Sequence, residues 1–145
     1  KAKMSKSVGN TVGLIEAPES IWEKLRPAVT DPARVRKTDP GTPEVCNIYA
    51  LHRAFSADAD ADPRVAEVAA NCRTAAWGCI ACKRVLHEAM EVELVPIRGR
   101  AAALRADPGQ VGDVLATGAA RCRRIARETM GEVREAMGIG ARPAD

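Results

Sequence analysis

Large rings are the scarcest component of this sequence. One Phe, one Tyr and two Trp make up 3% of the chain, too little to fill the interior of a packed sheet. No segment alternates apolar and polar residues with a clear period of two, and no internal repeat is present. There is no His-x-Gly-His element and no glycine-rich turn of a parallel nucleotide-binding sheet, which excludes a complete nucleotide-binding sheet within these residues. No apolar run approaches the roughly 20 residues of a membrane-spanning helix, and no signal peptide opens the chain. The expectation is therefore a cytoplasmic protein with no membrane partner. The net charge of +3 is compatible with an RNA partner without specifying one.

What is abundant is alanine and aliphatic residue. Hydrophobic residues reach 46% of 145, enough for a folded domain with a real core. With few rings and much alanine, that core should be helical. Ala17-Pro18-Glu19-Ser20 opens a first helix, with Pro18 at its first position and Ile21, Leu25 and Val29 as its buried stripe. Trp22 covers one edge, Pro27 disturbs the last turn, and Thr30-Asp31-Pro32 ends it. Thr42-Pro43-Glu44 caps a second helix, with Val45, Ile48, Leu51 and Phe55 inward. Asp58 to Asp62 forms an acidic turn that lacks the Gly and Glu of a calcium loop. A short helix from Pro63 to Cys72 turns Val65, Val68 and Ala69 inward. A long one from Ile80 to Leu104 follows, kinked at Pro96, with Val85, Leu86, Ala89, Leu94 and Ile97 as its apolar positions. Asp107-Pro108-Gly109 caps a further helix carrying Val111, Val114 and Leu115. Gly118 separates it from a last helix, 119–137, that points Ile125, Met130 and Val133 inward.

Five cysteines stand out in such a chain. Cys72, Cys79 and Cys82 form a C-x6-C-x2-C run, and Cys46 lies one helical segment upstream. The C-x2-C step turns two sulfurs from one turn of chain toward a common centre, and two neighbouring segments supply the rest. Four thiolates suit Zn²⁺ or an iron–sulfur cluster. Buried free thiols and disulfides are the other readings of the same residues. Cys46 should sit in the first turn of its helix, where the dipole favours a thiolate. Cys122 has no cysteine neighbour and reads as a packed free thiol. His52 and His87 read as packing or surface residues, with a place in the metal site as the alternative. Arg121, Arg123, Arg124 and Arg127 read as a solvated face paired with Glu128 and Glu132, or as contacts to RNA phosphates.

The first residues carry chemistry of a different kind. Lys3-Met4-Ser5-Lys6-Ser7 matches the KMSKS signature of class I aminoacyl-tRNA synthetases. Two lysines on a mobile loop can follow negative charge onto a departing pyrophosphate, serines can donate to phosphate oxygens, and Gly9 allows the turn that follows. Lys3 to Thr11, Thr30-Asp31-Pro32-Ala33-Arg34, and Asp39 to Asn47 together resemble bacterial tryptophanyl-tRNA synthetases, over nearly the whole chain. The cysteine pattern resembles the subset that binds a [4Fe-4S] cluster beside the anticodon-recognition region. The 25 residues between Cys46 and Cys72 exceed that pattern somewhat, and the excess falls in the acidic turn.

The resemblance implies an all-α fold. A helical anticodon-binding bundle with the four-cysteine site, 17–140, would follow a catalytic-loop remnant of a missing Rossmann-type domain, 1–16, with a frayed tail at 141–145. It implies a C-terminal fragment of a tryptophan–tRNA ligase that uses ATP, Mg²⁺, L-tryptophan and tRNA(Trp) and works as a homodimer. Lys3 and Lys6 would be catalytic, and Lys3, Met4, Ser5, Lys6 and Ser7 would bind ATP. Cys46, Cys72, Cys79 and Cys82 would hold [4Fe-4S], or Zn²⁺ in its place. The fragment alone would be inactive. The alternatives are a non-catalytic tRNA-binding or iron–sulfur module and a tyrosyl-tRNA synthetase fragment.

Overall fold

The structure, a computed structural model, describes residues 5–139. All regular elements among the described residues are helical. A 3₁₀ turn at Lys6–Val8 is followed by α1 (Pro18–Leu25), a second 3₁₀ turn (Pro43–Val45), α2 (Asn47–Ala54), α3 (Pro63–Arg73), α4 (Cys79–Ala106) and α5 (Pro108–Ala136). The chain divides into two units, the first ending at Arg100 and the second beginning at Ala101.

The first unit has one apolar core. Ile21 and Leu25 of α1, Cys46 and Ile48 at the start of α2, and Leu86, Met90 and Leu94 of α4 form a buried cluster. Trp22, Leu51, Phe55, Cys82 and Ile97 pack around it, half-buried. Val65, Val68 and Ala69 are buried on α3, as their spacing implies. Two caps fix the helix starts. Asp62 accepts from the Arg64 amide at 2.8 Å at the head of α3, and Asp107 accepts from Gln110 at the head of α5. The acidic turn is self-satisfied: Asp58 accepts from the amides of Asp60 and Ala61, and Asp60 pairs with Arg53.

Several expectations are corrected. α1 ends at Leu25, so Val29 lies past it and is 66% exposed. Pro27 ends the stripe instead of roughening its last turn. A 3₁₀ turn takes Pro43 to Val45, which leaves Val45 exposed and puts Cys46 at the extended N-cap of α2, one position outside the first turn. α4 runs from Cys79 through Pro96 to Ala106. Gly118 breaks nothing, because α5 is continuous from Pro108.

The second unit consists of the end of α4 and α5. No α5 residue is buried, and Val111, Val114, Leu115, Ile125, Met130 and Val133 are all exposed, contrary to the inward reading of the last three. Cys122 is exposed as well, not packed. The amphipathic period is there, but the one short stretch of α4 in the same unit, 101–106, leaves the apolar side of α5 exposed. Gly138, at φ +67°, takes the left-handed position that closes the helix.

Candidate metal centre and signature loop

The three cysteines of the C-x6-C-x2-C run, together with Cys46, come from three helix ends. Cys46 is the N-cap of α2, Cys72 lies in the last turn of α3, and Cys79 and Cys82 occupy the first turn of α4. They line one small cleft together with Thr30, Arg34, Val68 and Trp77. Its approach to Cys72 depends on a missing side chain: a Cβ on Gly41 would lie 2.6 Å from the Cys72 sulfur, and the Gly41 amide donates to the Cys72 carbonyl at 2.9 Å. Asp31, buried, holds that loop by accepting from the Thr42 amide at 2.7 Å and the Ala33 amide at 2.9 Å. Those two donors keep its carboxyl below the ordinary range.

Burial pushes the Cys82 thiol up to about 12, and the neighbouring Cys46, Cys72 and Cys79 add to the rise. Burial raises Cys72 too, against the pull of Arg34. Thiols in this state are neutral, and a cation at the centre is what would make them thiolates. Among the described residues no group of three or more His, Cys, Asp and Glu side chains converges as one bound ion requires. The four sulfurs share only the lining of that cleft.

The walls of that cleft suit an anionic occupant. No carboxylate lines it, and Arg34 does. Arg34 Nη1 donates to the Cys72 sulfur at 3.9 Å, its Nη2 donates to the Trp77 and Lys37 carbonyls, and its Nε–H is buried without an acceptor. Lys83, next to Cys82, is 4% exposed, and its ammonium donates to the carbonyls of Arg26 and Ala28 at 2.7 Å each. Burial lowers its pKa, and Cys79, Cys46 and Cys82 oppose that fall. Four thiolates around Zn²⁺, or around an iron–sulfur core, leave a net negative charge. Arg34, with its orphaned Nε–H, lines the cleft and matches that charge, and Lys83 lies behind it in the first turn of α4.

His52 is fully buried, and burial, with Arg64 beside it, holds its pKa down to about 4. It stands against Cys82, outside the set of four thiols. His87 lies elsewhere, bonded to the Pro18 carbonyl at 3.0 Å and edge-on to Trp22.

At the other site, Lys3 and Met4 lie outside the described residues, as does the Lys6 side chain. Ser5 and Ser7 share a hydroxyl–hydroxyl bond of 3.0 Å, and the Ser5 amide donates to Asn10 Oδ1 at 3.0 Å. Gly9, at φ +71°, supplies the turn expected of it. The base of this loop is clamped to α1 by residues the motif does not include. Glu16 accepts from the Gly13 amide at 2.8 Å, from the Ser20 hydroxyl and from Lys24. Lys24 donates onward to the Thr11 carbonyl at 2.8 Å. Those hydrogen bonds, the Gly13 amide first, hold Glu16 down at about 2. Arg98 of α4 donates to the Glu16 carbonyl at 3.1 Å and pairs with Glu91.

Sequence reading did not single out Arg34, Gly41, Lys83 or Glu16 as site residues. Arg34 stands inside a segment that carries the family resemblance, and Lys83 follows a cysteine. Neither position reveals its partner.

The family model described as tRNA synthetases class I (W and Y) matches residues 1–94. The chain is similar to the tryptophan–tRNA ligase of Deinococcus radiodurans, 50% identical over 96% of this chain and 41% of that protein. It is similar to that of Ralstonia nicotianae, 42% identical over 94% of this chain and 33% of that protein. A crystal structure of the Campylobacter jejuni tryptophanyl-tRNA synthetase, complexed with ADP and tryptophan, superposes with a TM-score of 0.81 at 27% identity, over 94% of this chain and 41% of that one. The chain thus spans about two fifths or less of the length of these relatives.

Proposed function

The chain belongs to the class I tRNA synthetases of tryptophan and tyrosine, and from that premise we propose that it supplies the signature loop and the helical anticodon-side region of a tryptophan–tRNA ligase. The observation that carries this is the 50% identity to a tryptophan–tRNA ligase across 96% of the chain. In the whole protein, L-tryptophan attacks the α-phosphate of ATP, bound with Mg²⁺, and the adenylate then charges tRNA(Trp). Lys3 and Lys6 follow negative charge onto the leaving pyrophosphate. Ser5 and Ser7 shape the loop and donate to phosphate oxygens, and Met4 lies toward the adenine. Residues 17–140 hold the anticodon arm. On family resemblance we extend the reading to a cytoplasmic homodimer. Among the described residues every regular element is helical, and on this reading the segment alone does not activate tryptophan.

Cys46, Cys72, Cys79 and Cys82 would hold a [4Fe-4S] cluster. Bound there, it would tie three helix ends together and offer a one-electron centre, the structural use being the commoner one for a site that joins separate segments. The cluster is chosen on the family resemblance, and a single Zn²⁺ on the same four thiolates is the alternative.

The test takes the full-length protein. Tryptophan-dependent ATP–pyrophosphate exchange should be robust, and Lys6→Ala should slow it by roughly 10²–10³, the scale of one preorganised charge-stabilising donor, with tryptophan binding unchanged. Exchange driven by tyrosine would overturn the substrate. Protein purified without oxygen should be brown and carry about four irons per chain with matching sulfide. One Zn²⁺ would replace the cluster but keep the four-thiolate site. No metal in either form would end that part of the reading.

A further inference from the structure

Cys82 has a neighbour that none of the other three cysteines has. His52 is buried to the last atom, and its ring lies with Nε2 3.5 Å from the Cys82 sulfur and 3.2 Å from the Cys82 carbonyl oxygen. Its other nitrogen, Nδ1, is 2.9 Å from Nη1 of Arg64. A guanidinium has hydrogens on every nitrogen and cannot accept. Nδ1 must therefore present its lone pair, and the ring proton must be on Nε2. The carbonyl on the Nε2 side imposes the same tautomer, since an oxygen there needs an N–H.

Arg64 is itself fixed. Its Nη2 donates to the Phe55 carbonyl at 2.7 Å, to Asp62 Oδ2 at 3.1 Å and to the His52 carbonyl at 3.2 Å. The guanidinium cannot swing away without abandoning the C-terminal end of α2 and the cap of α3. A rigid cation thus sets a buried ring, and the ring aims a polarised N–H at one sulfur of the cleft.

We propose that His52 is a positioning residue for Cys82: its Nε2–H donates to the Cys82 sulfur when that sulfur is a metal-bound thiolate, and Arg64 enforces the tautomer that makes this possible. The inference rests on the four-thiolate reading above. A donor to a ligating sulfur withdraws charge from it. It favours the thiolate over the thiol, retards loss of the metal, and raises the reduction potential of a redox-active centre by favouring its more electron-rich state.

The test uses full-length protein, wild type and three variants, reconstituted with iron and sulfide in one arm and loaded with Zn²⁺ in the other. His52→Leu removes the donor, His52→Gln offers an amide N–H near the same place, and Arg64→Gln frees Nδ1 to take the proton. Transfer of the metal to a chelator and the midpoint potential of the iron form are the readouts. His52→Leu should weaken metal retention by about 10–100-fold, the scale for outer partners of metal ligands, and shift the potential downward. His52→Gln should recover most of both. Arg64→Gln should move both in the direction of His52→Leu, and it decides the matter if the leucine variant does not fold. Metal retained equally by all four proteins, with one common potential, would overturn the role of His52 and leave the metal site standing. Wild-type protein that binds neither iron nor zinc would overturn the four-thiolate reading itself.

Discussion

Replacing Glu16 with Gln removes one charge from the base of the signature loop and changes little else in shape. The carboxylate accepts from the Gly13 amide, the Ser20 hydroxyl and Lys24, and its pKa falls from 4.5 to about 2. A drop of about 2.5 units corresponds to about 3 kcal/mol of preference for the charged form in the folded state. The side chain keeps 17% of its surface open to water, so screening reduces this, and the expected loss of stability at neutral pH is about 1–2 kcal/mol. The sign with pH follows from linkage. The folded pKa is below the unfolded one, so the stabilisation is complete above about 4.5 and is lost as pH falls toward 2. Urea denaturation of wild type and Glu16→Gln, at neutral pH and at about pH 3, reads the difference directly, and acid effects common to both proteins cancel in it. The gap should narrow sharply in acid. An equal gap at both pH values, or none at neutral pH, would refute the idea that the charge of Glu16 clamps the loop.

Gly41→Ala should displace the Cys72 sulfur, which the new Cβ would meet at 2.6 Å. Stability should fall by about 1–3 kcal/mol, as for other overpacked sites, and bound metal per chain should fall with it; full metal content would show that the cleft yields. Substituting Arg123 and Arg127 together tests the solvated-face reading of α5: if they touch tRNA phosphates, the slope of log affinity against log salt should shrink by about 2, and an unchanged slope leaves them a solvated face. Removing the metal should speed amide hydrogen exchange around 72–79 and 41–46 while leaving 13–25 unchanged.

Local signals were legible in the sequence to the extent that they were local. Ile21 and Leu25 share a stripe because four residues make about one helical turn, and both are buried. Val29 continues that arithmetic, but only where a helix continues, and Pro27 prevented it. Val65, Val68 and Ala69 followed the same rule without a proline in the way. α5 shows the limit of periodicity, which reveals an apolar side and says nothing of what covers it. That the four cysteines gather at one cleft was legible because their spacing is written along the chain. Its surroundings were not: Arg34 meets Cys72 across 38 residues, His52 meets Cys82 across 30, and Lys83 meets Arg26 across 57. Such partners are set by how helices pack, and no window of sequence contains both. Gly41 resembled an ordinary turn glycine after Pro40, and only the packed structure shows the sulfur that its missing Cβ admits.

The expected pattern of hydrogen exchange follows from how α4 is fastened. Its first turn carries Cys79 and Cys82, and sixteen residues further on, about 24 Å along the axis, Arg98 reaches the base of the signature loop. A rod with the proposed metal site at one end and a loop at the other invites the idea that one controls the other. The packing argues against it. Between those points α4 is bound to α1 by an apolar cluster in which Ile21, Leu25, Leu86, Met90 and Leu94 are each at most 3% exposed. Lys83 adds two bonds to the end of α1, and His87 adds one to its start. Cys46 belongs to that cluster and Cys82 packs against it, but the residues named above join α1 to α4 without either cysteine. The segment between α3 and α4 is different. It holds Ala75 at φ 57°, a strained value for a residue with a side chain, and its Trp77 carbonyl is held by Arg34, which itself faces the cleft. Stripping the metal would release that segment and the loop around Gly41 while α1 and Glu16 stay packed. Exchange that quickened equally at Gly13, Ser20 and Leu25 would show instead that the metal stabilises the whole unit, and that α4 transmits its loss to the signature loop.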